Sequence, residues 1–303
     1  MTDTDIRIDG GLLERIGRRK AMLDRRRPLP GHLVKRLREE MRLAHTYNSN
    51  AIEGNSLTRQ ETRLVIEEGI TIGGKPMREH LEAAGNAEAF DLIFDLAGKD
   101  APMDHVTLQE IHGLVTRGQQ TDSGRYRTVN VRIGGTARSP PDFSKVPARM
   151  ESLLRGLGGD ALEQSVRLHH GIAMIHPFSD GNGRTARLAA NLVLMRGGYP
   201  PVVLRKEDRK KYYECLARAD AGDISRFANY VARALDESLT LYLASFGGRD
   251  ALVPLSELAQ GSPYSAEYLG LRARQGVLSA VKTGKAWQSS LRALEEYVEL
   301  HGR

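Results

Sequence analysis

The chain has 303 residues, 40% of them hydrophobic and 27% charged, which is ordinary globular composition and enough to bury a sizeable core. A single cysteine, Cys215, excludes an internal disulfide and a cysteine-based zinc cluster, and is read as a packed, inert side chain. The net charge of +6 gathers early, with Arg15, Arg18, Arg19, Lys20, Arg25, Arg26, Arg27, Lys35, Arg36 and Arg38 crowded near the start, a cluster best read as a solvated helical face.

The opening MTDTDIRIDGG lacks the basic-then-apolar order of a signal peptide, and no apolar run approaches the roughly 18 residues of a membrane span. A cytoplasmic protein without a membrane partner is the expectation. Helical periodicity then dominates. Leu33, Leu37, Met41 and Ala44 predict an amphipathic helix running into Ser49, and Thr58 with Glu61 forms a capping-box pattern opening another helix that Gly69 closes. Further helices are expected near 79–97, 107–117, 145–156, 160–175, 184–197, 207–219 and 223–245. In RYRTVNVRIGGTARSPPDFSKVP, Val129, Val131 and Ile133 alternate with polar residues before Gly134-Gly135, which predicts a short hairpin flap whose edge could dock an extended peptide.

The chemistry concentrates in HPFSDGNGRTAR, from His176 to Arg187. Gly181-Asn182-Gly183 suits positive φ and exposes successive backbone N–H groups, and a helix follows at once, so the turn reads as an anion-binding nest. Arg184 and Arg187 lie one helical turn apart at that N-terminus, where cations are unfavourable unless they share an anion. Guanidinium forks match phosphate oxygens, which points to a polyphosphate. Asp180 beside a phosphate site suits Mg²⁺, and His176, with an unperturbed pKa of about 6.5, suits a general base. Phe178 reads as core. A zinc site on His169, His170 and His176 is disfavoured, because adjacent histidines on a helix diverge and no i, i+4 spacing occurs.

After Gly247-Gly248 the texture changes to a short helix, a helix near 265–275, two strands turning at Thr283-Gly284-Lys285 and a last helix, the outline of a winged helix-turn-helix. The expected organisation is 1–55 as an N-terminal helical region, 56–246 as the catalytic domain and 251–303 as the winged-helix-like domain. Arg272, Arg274, Lys282 and Lys285 could meet phosphates, yet residues 251–303 hold six Lys/Arg against five acids, a poor footprint for duplex DNA.

HPFSDGNGRTAR closely resembles the signature of the Fic (filamentation induced by cAMP) family, His-Pro-Phe-x-(Asp/Glu)-Gly-Asn-Gly-Arg-x-x-Arg, at every fixed position, and the resemblance runs from about Leu33 to Leu243. It implies an all-α Fic fold with a flap and transfer of AMP from ATP to a hydroxyl side chain of a target protein. By the same resemblance His176 is the base, Asp180 the Mg²⁺ ligand and Asn182 a contact to the α-phosphate. Gly181 and Gly183 would form the nest, Arg184 and Arg187 would hold the β- and γ-phosphates, and Tyr212 and Tyr213 would lie beside the adenine. Asp220 stands where some similar proteins carry asparagine, and an ionised carboxylate offers a base only acceptors. Ser49-Asn50-Ala51-Ile52-Glu53-Gly54 resembles the (Ser/Thr)-x-x-x-Glu-(Gly/Asn) motif of an inhibitory helix, in which Glu53 would neutralise Arg187 and fill the γ-phosphate space. The partners implied are ATP and a target protein with a Ser, Thr or Tyr acceptor. A DNA-binding regulator working through residues 251–303, a homodimer, and transfer of another phosphate-containing group are the alternatives carried forward.

Overall fold

The computed structural model describes residues 6–99, 103–133, 139–284 and 286–301. Among them the chain forms α1 (Gly10–Asp24), α2 (Gly31–Ile52), α3 (Arg59–Glu68), α4 (Met77–Ala97), α5 (His105–Val115), α6 (Val146–Arg155), α7 (Ala161–Ile175), α8 (Asn182–Arg196), α9 (Arg209–Asp220) and α10 (Ser225–Ala244). Then come β1 (Val253–Pro254), α11 (Leu255–Gln260), α12 (Ala266–Gln275), β2 (Val281–Thr283), β3 (Ala286–Ser289) and α13 (Leu291–His301). The fold is all-α apart from one small antiparallel sheet, ordered β1-β3-β2.

Packing divides the chain into two compact units, and the divisions fall inside α2 and α10. The first takes residues 38–228, with Ile6. Its core gathers Leu108, Met150, Leu168, Ile172, Phe178 and Ala189 between α5, α6, α7 and α8. Twelve of the fifteen residues of α8 are buried, so this helix is enclosed on nearly every side and the site at its N-terminus is held rigidly. Close approaches in this core depend on missing side chains. A Cβ on Gly171 of α7 would lie 2.5 Å from the Leu153 side chain of α6.

Local rules act as the sequence suggests at α3, where Thr58 and Glu61 complete a capping box and Gly69 ends the helix at φ +66°. At α7, Asp160 accepts from the Leu162 and Glu163 N–H groups. Residues 129–133 take part in no strand among the described residues, so the expected flap is not a hairpin there, and Gly134-Gly135 lies outside the described residues. Side chains hold this segment instead. Asn130 Nδ2 donates to Asp142 Oδ2 at 2.9 Å, and the Phe143 N–H donates to Asn130 Oδ1 at 2.9 Å.

The second unit takes residues 7–37 and 229–303. Leu255, Leu258, Leu269, Leu278, Leu294 and Tyr297 form its small core. The strands β2 and β3 pair as Thr283↔Ala286 at their turn, where Lys285 lies outside the described residues. Arg15 and Arg19 of α1, expected on a solvated face, are 9% and 4% exposed. Asp236 explains them: Arg15 Nε lies 3.1 Å and Arg19 Nε 3.8 Å from its carboxylate. No described helix is long and apolar enough to cross a membrane.

Candidate active site

The segment joining α7 to α8 carries the site. His176 ends α7 in the left-handed region, at φ +52°, the one described non-glycine residue with positive φ. Its N–H donates to Ile172 O at 2.8 Å, and its carbonyl accepts from Arg127 Nε at 2.8 Å. Burial, with the Arg127 cation adding to it, lowers the His176 pKa below the ordinary imidazole value. The ring is therefore neutral at neutral pH and able to accept a proton.

Asn182 braces the loop that follows. Its Oδ1 accepts from the Phe178 N–H and its Nδ2 donates to Phe178 O, both at 2.9 Å, which leaves one amide N–H for another acceptor. Phe178 is fully buried, as expected, and stacks on His112 with centroids 3.7 Å apart. His112 Nδ1 accepts from the Gly124 N–H at 2.9 Å, so Nε2 carries the proton toward Asp180 O at 3.0 Å. Burial pushes the His112 pKa down to about 4 and keeps this brace neutral.

Gly181 caps α8 at φ +75°, and a Cβ there would lie 2.7 Å from Thr116 Cγ2, so glycine is required twice over. The N–H groups of Asn182, Gly183 and Arg184 occupy the first turn of α8, where a helix supplies no acceptor of its own. Asp180 precedes them, 54% exposed at the side chain, with Oδ1 accepting from the Gly181 N–H at 2.7 Å. A single exposed carboxylate beside a phosphate nest suits Mg²⁺, which takes one or two carboxylates and completes its shell with phosphate and water. No group of three or more His, Cys, Asp or Glu side chains that could hold a metal ion occurs among the described residues.

The two arginines diverge. Arg184, 2% exposed at its side chain, reaches Glu82 Oε1 at 3.5 Å and Asp180 Oδ2 at 3.8 Å. Arg187 turns toward the end of α2, where its Nε donates to Ser49 Oγ at 2.8 Å and its Nη2 donates to Ser49 O at 2.9 Å and Glu53 Oε1 at 2.8 Å. Glu53 also covers the nest: a Cβ on Gly183 would collide with its Oε1. Burial raises the Glu53 carboxyl, but the Arg187 charge and hydrogen bond outweigh it and hold the pKa below its ordinary value. The same pair raises Arg187 above its ordinary value against the cost of burial. An internal carboxylate thus lies over the first turn of α8 at hydrogen-bond distance from Arg187.

The tyrosine pair separates by environment. Tyr212 is buried, with Oη 2.8 Å from His169 Nε2 and its ring under Arg187 at 5.8 Å. Tyr213 is 39% exposed and donates to Glu53 Oε2 at 3.2 Å, and its ring lines a shallow groove with Glu207, Arg209, Lys210, Glu214 and Ala217. His170 pairs with Asp220 at 2.9 Å.

Arg127 and His112 are site-building residues that the sequence did not single out. Arg127 gathers the carbonyls of Val129, Pro141 and His176, and its N–H donates to Pro177 O at 2.9 Å. Its sequence setting, YRTVN, looks like any polar strand edge. His112 had only helical spacing on α5 to mark it.

The Fic/DOC family model matches residues 102–194. Protein adenylyltransferase Fic of Nematostella vectensis is 38% identical over 218 residues, 70% of this chain and 51% of the relative. The structure of a Fic-1 fragment from Caenorhabditis elegans superposes with a TM-score of 0.70 at 31% identity, covering 78% of this chain and 72% of that one. A Fic domain containing signaling protein from Bacteroides thetaiotaomicron gives a TM-score of 0.70 at 29% identity, covering 76% of this chain and 96% of that one. The chain spans about half the length of the curated relatives it matches. With the signature loop, the enclosed α8 and these likenesses together, the chain belongs to the Fic/DOC family.

Proposed function

We propose that this chain is a protein adenylyltransferase, moving AMP from ATP to a hydroxyl side chain of a target protein, and that Glu53 restrains it. The observation that carries the reading is the Glu53 carboxylate, 2.8 Å from Arg187 and over Gly183, where on this reading it would stand in the way of a terminal phosphate. The curated relatives named protein adenylyltransferase support the reaction class.

In the reaction the target hydroxyl oxygen bonds to the α-phosphorus, its proton passes to the His176 imidazole, and the bond to the bridging oxygen of the β-phosphate breaks to release pyrophosphate. The low pKa of His176 favours the neutral ring that this step needs. Asn182 offers its remaining amide N–H, and the first-turn N–H groups of α8 offer more, to the reacting phosphate. Arg184 and Arg187 carry charge for the leaving pyrophosphate. Asp180 would hold Mg²⁺, which when bound neutralises phosphate charge. Tyr213, 39% exposed, would lie beside the base.

Intact-mass measurement after incubation with ATP tests the reading. Glu53→Gly should raise AMP addition at least about tenfold, the equivalent of ~1.4 kcal/mol. His176→Ala in that background should abolish it. A mass gain that survives loss of His176, or labelling unchanged by Glu53→Gly, would count against the assignment.

A further inference from the structure

Four charged side chains close a ring beside the signature loop. Arg78 Nη2 is 2.9 Å from Asp180 Oδ2, and Arg78 Nε is 3.0 Å from Glu82 Oε1. Glu82 Oε1 is 3.5 Å from Arg184 Nη1, and Arg184 Nη2 returns to Asp180 Oδ2 at 3.8 Å. The signs alternate and sum to zero. Its members differ in freedom, because the side chains of Arg184 and Glu82 are 2% and 9% exposed whereas those of Arg78 and Asp180 are 63% and 54% exposed. Glu82 is fixed further by Asn55, whose Nδ2 donates to its Oε2 at 2.9 Å. Two buried members therefore form a frame, and the two exposed members form a contact that can open.

Arg78 is the second residue of α4, in the first turn, where the helix dipole disfavours a cation. Helix formation does not explain its presence there. The Asp180 carboxylate does, since Oδ1 is taken by the Gly181 N–H and Oδ2 faces Arg78.

We infer that Arg78 is a positioning residue that holds the place of the divalent cation at Asp180 and yields it when the metal arrives with nucleotide. This rests on the nucleotide-transfer reading above. The guanidinium and a divalent cation are like charges seeking the same oxygen, so they exclude one another. Release costs Arg78 little, because Glu82, four residues on, remains as its partner. Arg184 gives up only its 3.8 Å contact with Asp180 in the same exchange and stays on the frame residue Glu82, which also keeps Arg78 from returning toward the metal. Arg78 thereby sets how much Mg²⁺ the site demands before it accepts nucleotide.

The test is calorimetric binding of ATP across a series of Mg²⁺ concentrations, comparing Glu53→Gly with Glu53→Gly/Arg78→Ala and Glu53→Gly/Arg78→Lys, with thermal unfolding of each protein as the folding check. An exposed ion pair of this kind corresponds to a shift of about threefold to fivefold. The Mg²⁺ concentration at half-maximal ATP binding should fall by that factor with alanine and stay near the parent with lysine. An unchanged or higher Mg²⁺ midpoint with alanine overturns the inference. So does a loss of ATP affinity at saturating Mg²⁺, which would make Arg78 a phosphate clamp. Absence of ATP binding in all three proteins at every Mg²⁺ concentration overturns the nucleotide-transfer reading, and the inference with it.

Discussion

Arg187 is 3% exposed, and a buried guanidinium is tolerated only when its donors and charge are matched. Ser49 gives it a hydroxyl and a carbonyl, Glu53 gives it a charge, and the Tyr212 hydroxyl at 3.4 Å completes the set. Ser49 and Glu53 belong to one short motif because an i, i+4 pair presents both groups on one helix face. On the proposed reading a nucleotide would replace the carboxylate but not the serine, so Ser49 would keep Arg187 aimed in either state. His176 raises a different question, that of protonation. Its folded pKa is depressed, so the charged form is disfavoured and the ring is neutral where the proposed base must accept a proton. Removing Glu53 also removes an anion that favours the protonated ring. The kcat/KM of Glu53→Gly should accordingly be flat from about pH 7 to 8 and fall only below about pH 6.5. A pH profile with its acidic limb above that value would show that His176 is not the titrating base.

At the scale of elements, the end of α2 is gripped by more than Arg187. The Lys206 N–H donates to Asn48 Oδ1 at 3.0 Å, Arg209 Nε donates to Ile52 O at 2.6 Å, and Tyr213 Oη donates to Glu53 Oε2 at 3.2 Å. Arg209 meets the last residue of α2, where a helix leaves carbonyls unpaired and favours a cation, and its guanidinium also lies 5.1 Å over the Tyr213 ring. The start of α9 is thus shared between the turn that carries Glu53 and the groove beside Tyr213. Arg209→Ala, with Glu53 intact, should raise AMP addition by about threefold to tenfold and speed amide exchange in the last turn of α2. Reduced labelling would assign Arg209 to nucleotide binding instead. The helices themselves were legible in advance, because apolar spacing and caps such as Thr58–Glu61 are local signals. The grip was not. Ile52 meets Arg209 across 157 residues of sequence and Asn48 meets Lys206 across 158, and bonds between a side chain and a distant main-chain group leave no pattern. Residues 129–133 form no strand for a related reason: alternation at Val129, Val131 and Ile133 marks extended chain, but a strand needs a partner, and here Arg127 and Asn130 hold the described segment.

Across the whole molecule, the signature loop could be read residue by residue because its chemistry lies within twelve consecutive positions, whereas the second unit could not. Its helices and short strands follow local patterning, yet what binds its distant segments is charge. Arg15 Nε and Arg19 Nε face the two oxygens of Asp236, Ser279 Oγ donates to the same carboxylate at 3.0 Å, and Arg15 Nη2 donates to Gly276 O at 2.9 Å. Arg19 adds Glu296 at 3.3 Å, so α1, α10 and α13 meet at one buried knot. In sequence these arginines are indistinguishable from their exposed neighbours, since burial is decided by an acid more than 200 positions away. Truncating Asp236 would strand two guanidinium groups with too little negative charge. Asp236→Ala should therefore cost this unit about 3–5 kcal/mol in chemical denaturation, a large share of the stability of an ordinary domain. A matched replacement, Arg15→Met with Arg19→Met and Asp236→Leu, removes all three charges together and should recover most of that loss, because apolar packing of similar volume replaces a buried ion cluster at little cost. Equal destabilisation of the single and triple variants would mean that the shape of this junction, rather than its charge, holds the unit together.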